Sequence, residues 1–157
     1  MSFMTLSNSK NTQQCLRLQT KSHKIINFKK NNRMKSSNRE IALLYLQKYA
    51  EKDLEGIEKM FSKDIVLRDW KIRVIGMESA LAETKKNFEA VETLHIEVLS
   101  TYENQNAVAA ELKITIDNKE ELYVVDVITI NPENKISAIR AYVGRGDDEW
   151  ISKISNK

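Results

Sequence analysis

The sequence predicts an α+β domain over residues 37–146: a cone-shaped, curved antiparallel sheet covered by three helices and enclosing a pocket. Three observations carry that prediction. Apolar residues step by three and four through three segments between Ser37 and Val91, the spacing of helices with one buried face. From Thr93 to Val143 the period is two, the spacing of strands with one buried face. Short polar turns join these last runs, and links of that length make neighbouring strands pair antiparallel. Helices early and strands late then segregate to the two sides of one sheet.

Each element has its own signal. Ser37 and Glu40 have the spacing of a capping box, which opens a helix by satisfying two free backbone donors. Ile41, Leu44, Tyr45 and Lys48 follow at helical spacing, and Leu43, Leu46 and Tyr49 widen the apolar face. Asp53 caps a second helix in which Leu54, Ile57, Met60 and Phe61 form one stripe. Short strands are expected over residues 65–69 and 72–75 before Gly76 breaks the chain, and Met77, Leu81, Thr84, Phe88 and Val91 mark a third helix. Leu94, Ile96 and Val98 then alternate with His95 and Glu97, and the Asn104-Gln105-Asn106 segment turns the chain. Ala110, Leu112, Ile114 and Ile116 form the next inward set, followed by a polar turn at 118–120 and a strand over 122–130. Asn131-Pro132-Glu133-Asn134 is a strong turn signal, and the last strand is expected over 135–143.

Charge divides the chain of 157 residues in two. Residues 1–38 hold eight Lys or Arg and no acid, which leaves 17 of the 25 bases to balance all 22 acids elsewhere, a net of −5. The overall +3 therefore belongs to the tail, and the mildly acidic body argues against a nucleic-acid surface. Residues 1–36 read as a disordered basic tail, as an organellar transit peptide, or as an upstream extension of a frame that starts at Met34. The expected compartment is cytoplasmic, or an organelle matrix if the transit reading holds. No apolar run is long enough to span a bilayer, so no membrane partner is expected. Cys15 is the single cysteine and His95 the single histidine of the domain. Disulfides, thiolate zinc and histidine metal clusters are thus not expected, nor is any cofactor. Arg145-Gly146-Asp147 reads as a chance tripeptide, and Trp150, Ile151 and Ile154 in the 147–157 tail suit a short helix over the pocket mouth or a neighbour.

The element order, the stretch from Tyr45 through Asp53-Leu54-Glu55-Gly56 to Asp64, and the closing run from Lys135 to Gly144 together resemble the nuclear transport factor 2-like superfamily. Within it, the chain is most similar to the SnoaL-like and ketosteroid isomerase-like branch. The resemblance implies a site. Tyr45 lies eight residues before the Asp53 motif, Asp69 sixteen after its start, and Asp126 fourteen before Arg140-Ala141. These match the helix tyrosine, the loop base and the strand aspartate of ketosteroid isomerases. In that pattern Asp69 moves a proton from carbon beside a carbonyl while Tyr45 and a neutral Asp126 donate to the developing oxyanion. Asp126 stands inside Val124-Val125-Asp126-Val127-Ile128, where desolvation favours the protonated carboxyl.

Two positions depart from the pattern. Thr84 stands where a supporting tyrosine is found, and Trp70 follows the base in place of proline. Limonene epoxide hydrolase, another relative, uses an Arg-x-Asp pair on a strand, and no strand here contains one. The expected pocket lining is Trp70, Leu112, Ile114, Ile128, Ile139 and Ala141, around Tyr45, Asp69 and Asp126. Strand alternation puts Ile139, Ala141 and Val143 inward with Asp126, and Tyr123, Val125, Arg140 and Tyr142 on an outer face suited to a homodimer. His95 also points outward. Three functions remain open at this point: a cofactor-independent isomerase or cyclase of a small hydrophobic carbonyl compound, a non-catalytic pocket for a hydrophobic ligand, and a homodimeric interaction module. On the blander readings Tyr45 is a core residue whose hydroxyl meets Asp126, and Asp69 is a turn cap.

Overall fold

A computed structural model describes residues 36–146; the readings of the N-terminal tail and of Trp150, Ile151 and Ile154 lie outside them. Helices α1 (Asn38–Ala50) and α2 (Leu54–Met60) lead into strands β1 (Phe61–Arg68) and β2 (Arg73–Ile75). Helix α3 (Met77–Glu89) follows, and then β3 (Leu94–Glu103), β4 (Ala107–Ile116), β5 (Glu120–Ile130) and β6 (Ile136–Gly144). The six strands form one sheet in the order β2-β1-β6-β5-β4-β3. Its last four strands are the expected antiparallel meander. No helix among the described residues is long and apolar enough to cross a membrane.

Local chemistry explains most of the boundaries. The Ser37–Glu40 capping box is complete in both directions, and the Asp53 carboxylate accepts from Gly56 N at 2.8 Å to start α2. The turns that lead into β4 and β6 each have their own side-chain acceptor. Asn104 takes the N–H groups of Asn106 and Ala107, and Asn131 takes those of Glu133 and Lys135. Asp117 and Asn118 carry positive φ angles of 51° and 54° between β4 and β5, a conformation Asp and Asn tolerate better than other residues with a Cβ. The Asp117 carboxylate also holds Glu92 N and Thr93 N at 2.8 Å, which fixes the approach to β3.

Two expectations need correction. Phe61 ends the stripe of α2 in the sequence reading, but it is the first residue of β1, which runs eight residues rather than five. Its ring is needed by the sheet: Phe61 pairs with Ile136 and is 2% exposed. The sheet is also not wholly antiparallel, because β1 pairs with β6 in parallel. Register shifts between Phe61 and Val66, Val98 and Ser100, and Thr129 and Ile130 interrupt the ladders. Such irregularities bend strands and raise their twist, which curves the sheet around the helices. The concave side buries Ile41, Leu46, Ile57, Phe88, Leu112 and Ile139 among others in a continuous apolar core.

Candidate functional site

Asp126 is placed by the β4–β5–β6 register, which sets it between Ala110 and Ala141 on the concave face. Two small neighbours leave space in front of the carboxyl. The residue is 9% exposed, and its carboxyl has no hydrogen-bond partner among the described residues. Burial alone pushes its pKa up to about 7, because a low-dielectric site penalises the charged form. A neutral carboxyl can then donate a hydrogen bond near neutral pH.

Tyr45 comes from the buried face of α1 and is 3% exposed. Its ring packs at 5.9 Å from Tyr49 and 6.0 Å from Phe61. Burial, then the neighbouring Tyr49 and Asp126, push the Tyr45 hydroxyl well above the usual phenol range, so it remains a proton donor. The reading in which that hydroxyl simply bonds Asp126 is not met, since no such hydrogen bond forms. Both polar groups instead face one cavity of about 120 Å³. Asp69 lies on its wall as well, in the loop between β1 and β2. One of its oxygens accepts from Lys71 N at 2.6 Å and Ile72 N at 2.8 Å. Asp69 is therefore a turn cap and a lining residue at once, with its second oxygen unengaged among the described residues.

Trp70, Leu112, Ile114, Ile139 and Ala141 line the same cavity. Ile128 does not. It is 0% exposed and belongs to the core, because its partners Val108 and Ile139 are themselves fully or nearly buried. Val143 shares the inward face but stands 44% exposed near the end of β6. Trp70 is 45% exposed, so the ring borders the cavity and does not fill it. Thr84 is buried on the cavity wall with its hydroxyl donated to Ala80 O at 2.9 Å, so it replaces the expected tyrosine with a group already satisfied.

Sequence reasoning missed a polar pair. Asn87 Nδ2 donates to the Tyr49 hydroxyl at 3.1 Å, and both residues line the cavity. Because Tyr49 accepts that bond, its own proton is free to point inward. Burial raises the Tyr49 pKa, and Asp126 and Asp69 both add to the rise, which puts Tyr49 within the field of the two acids. The available signal was spacing: Tyr49 is one helical turn from Tyr45, and Asn87 nearly one from Thr84. A second cavity, of about 290 Å³, shares Tyr49, Asp69, Trp70, Asn87 and Ile114 with the first. Among the described residues no group of three or more His, Cys, Asp or Glu is arranged to hold a metal ion.

A family model for the SnoaL-like domain matches residues 43–139. No curated protein matches the chain. Among solved structures, a candidate ketosteroid isomerase from Kribbella flavida aligns over 71% of this chain and 80% of its own, at a TM-score of 0.62 and 14% identity. The epoxide hydrolase/cyclase-like enzyme SalBIII, of pyran ring formation in polyether salinomycin, aligns over 68% and 90% at 0.60 and 24%. An LEH-like epoxide hydrolase from M. tuberculosis aligns over 66% and 80% at 0.58 and 15%. At these identities the likeness is one of fold.

Proposed function

The chain belongs to the SnoaL-like domain family, of nuclear transport factor 2-like fold, and from that premise we propose that it is a cofactor-independent isomerase or cyclase of a small hydrophobic carbonyl compound. The observation that carries this reading is Asp126, a buried acid with a pKa of about 7 and no hydrogen-bond partner among the described residues, lining an apolar cavity beside Tyr45 and Asp69. A buried polar group without a partner costs free energy, and a substrate oxygen supplies the missing acceptor. Asp69 removes a proton from the carbon beside the carbonyl through its unengaged oxygen. Tyr45 and neutral Asp126 donate to the oxygen as negative charge develops there. Return of the proton to a different carbon completes an isomerisation; attack of the enolate carbon on a second carbonyl of the same substrate, whose C=O π pair moves to oxygen and takes the proton back from Asp69, completes a cyclisation.

The test uses a one-ring substrate. Cyclohex-3-enone incubated with the protein is expected to convert to its conjugated isomer, followed by ultraviolet absorption. Asp69→Asn should slow that conversion by about 10²–10⁴-fold, the range for loss of a general base. A rate equal to buffer for the wild type, together with measurable binding of the ketone, favours the non-catalytic ligand pocket.

The homodimer is a second reading with its own observation. On the convex face Arg73, Arg68 and Arg140 stand at matched positions across β2, β1 and β6, and none pairs with an acid among the described residues. Glu97 and Glu111 occupy the same face on β3 and β4, beside Glu121, which is already paired with Lys113 at 2.8 Å. On this face Val125 of β5 and Tyr142 of β6 are exposed, as are Leu99 and Tyr102 on the edge strand β3, and Arg68 stacks 4.9 Å from the Tyr142 ring centre. A twofold axis through this face lays the basic half of one copy on the acidic half of the other. Arg68→Glu should shift the protein to monomer in sedimentation, and Glu111→Arg in the same chain should restore the dimer; a wild type that sediments as monomer removes this reading.

A further inference from the structure

The cavity that holds Asp126 and Tyr45 is about 120 Å³. An engineered cavity of about 150 Å³ holds a single benzene ring, and ligand sites generally start near 300 Å³. By itself the inner chamber therefore takes no more than one ring. The second cavity, of about 290 Å³, adjoins the first across a neck of shared lining residues, Tyr49, Asp69, Trp70, Asn87 and Ile114. Beyond the neck its walls change character. Phe88 and Val91 approach from the end of α3, and Leu94, Ile116 and Leu122 from the open end of the sheet. Ala90 and the exposed Lys71 complete the lining; the five larger side chains offer a ligand no hydrogen bond, so away from Lys71 the outer chamber favours an apolar group.

We propose that the outer chamber is a tail-binding subsite, so that the natural ligand is bipartite: a compact ring bearing an oxygen acceptor in the inner chamber, and an unbranched or narrow apolar tail that passes Trp70 into the outer one. This rests on the reading of Asp126 and Tyr45 as the polar end of the site. A ligand filling only the inner chamber leaves Leu94, Ile116 and Leu122 uncovered; one that spans the neck buries them. The neck also sets the attachment point. The tail leaves the ring on the side away from the oxygen, because Asp126 lines the inner chamber alone whereas Asp69 and Trp70 line both.

Phenol and its 4-alkyl homologues up to 4-hexylphenol test this by calorimetry at pH 6 on the full chain. Phenol supplies the oxygen and the ring, and the para chain points through the neck. Affinity is expected to climb by about fourfold for each methylene beyond the neck, the factor for burying one such group. Leu122→Glu and, from the opposite wall, Val91→Glu should each flatten the series and leave phenol binding unchanged. Two outer-wall variants from different elements keep the test valid if one does not fold. Equal affinity along the series in the wild type, or a slope that survives both variants, overturns the proposal. If phenol fails to bind while 4-hexylphenol binds and loses affinity in both variants, the polar-end reading falls and the apolar subsite stands.

Discussion

Asp126→Asn should make the protein more stable at pH 8, by about 2–4 kcal/mol, and no more stable at pH 4. The sign follows from where the proton sits. In the fold the carboxyl keeps its proton up to a pKa of about 7, while in the unfolded chain it ionises near 4. Between those values the folded state binds more protons than the unfolded one, so stability falls as pH rises through that window and is flat above it. The amide cannot ionise and matches the neutral acid in shape, so it escapes the cost in full only above the window. Denaturant unfolding at pH 4, 6 and 8 measures the difference, and equal stability of the two proteins at pH 8 would show that Asp126 is not a desolvated acid. The same variant separates cost from use. An amide N–H still donates to a substrate oxygen, at any pH. Wild-type turnover of the ketone is therefore expected to decline above pH 7 as Asp126 ionises, and Asp126→Asn to show no such decline. Natural proteins retain destabilising groups where function needs them, and Asp126 stands between Val124-Val125 and Val127-Ile128, where a buried acid adds nothing to packing.

How much of this was legible depended on the range of the interactions. The Ser37 capping box, the Asp53 cap and the Asn131 turn act within four residues, and the sequence displays them directly. Alternation along β4 and β5 likewise sets Asp126 on the face of Leu112 and Ala141, so the polar end of the cavity could be read without coordinates. What could not be read was depth. Ile128 is two residues from Asp126 on the same face, yet it lies in packed core where Asp126 meets open space, and only the bend of the sheet and the position of α1 distinguish them. Phe61 is apolar at a spacing that suits both a helix stripe and a strand start; its pairing with Ile136 decided for the strand. Tyr49 and Asn87 meet across two helices 38 residues apart, and the neck they help to form has no local signature at all.

Lys52 makes another long-range contact, and its removal should be felt. The residue sits between α1 and α2 with a φ of 56°, a conformation that costs a side chain with a Cβ about 1–2 kcal/mol. Its ammonium group donates to Phe88 O and Glu92 O, each at 3.0 Å, and to Val91 O. These carbonyls lie at the end of α3 and just past it, where backbone acceptors lack partners and the helix dipole favours a cation. Hydrogen bonds to a charged group contribute about 1.5–3 kcal/mol each when isolated; three that share one partly exposed ammonium are not additive. Lys52→Met, which keeps the stem and the backbone strain, is expected to lose about 2–3 kcal/mol in denaturant unfolding. Lys52→Gly discriminates between cap and strain. Glycine relieves the positive φ, so if the cap is the larger effect this variant is still less stable than wild type, though by less than the methionine. A glycine variant more stable than wild type would mean that the strain outweighs the cap. The consequence reaches the site, because Phe88 and Val91 form one wall of the outer chamber. In both variants amide exchange should accelerate across residues 86–93 while the β4–β5 ladder stays protected, and binding of 4-hexylphenol should weaken more than binding of phenol.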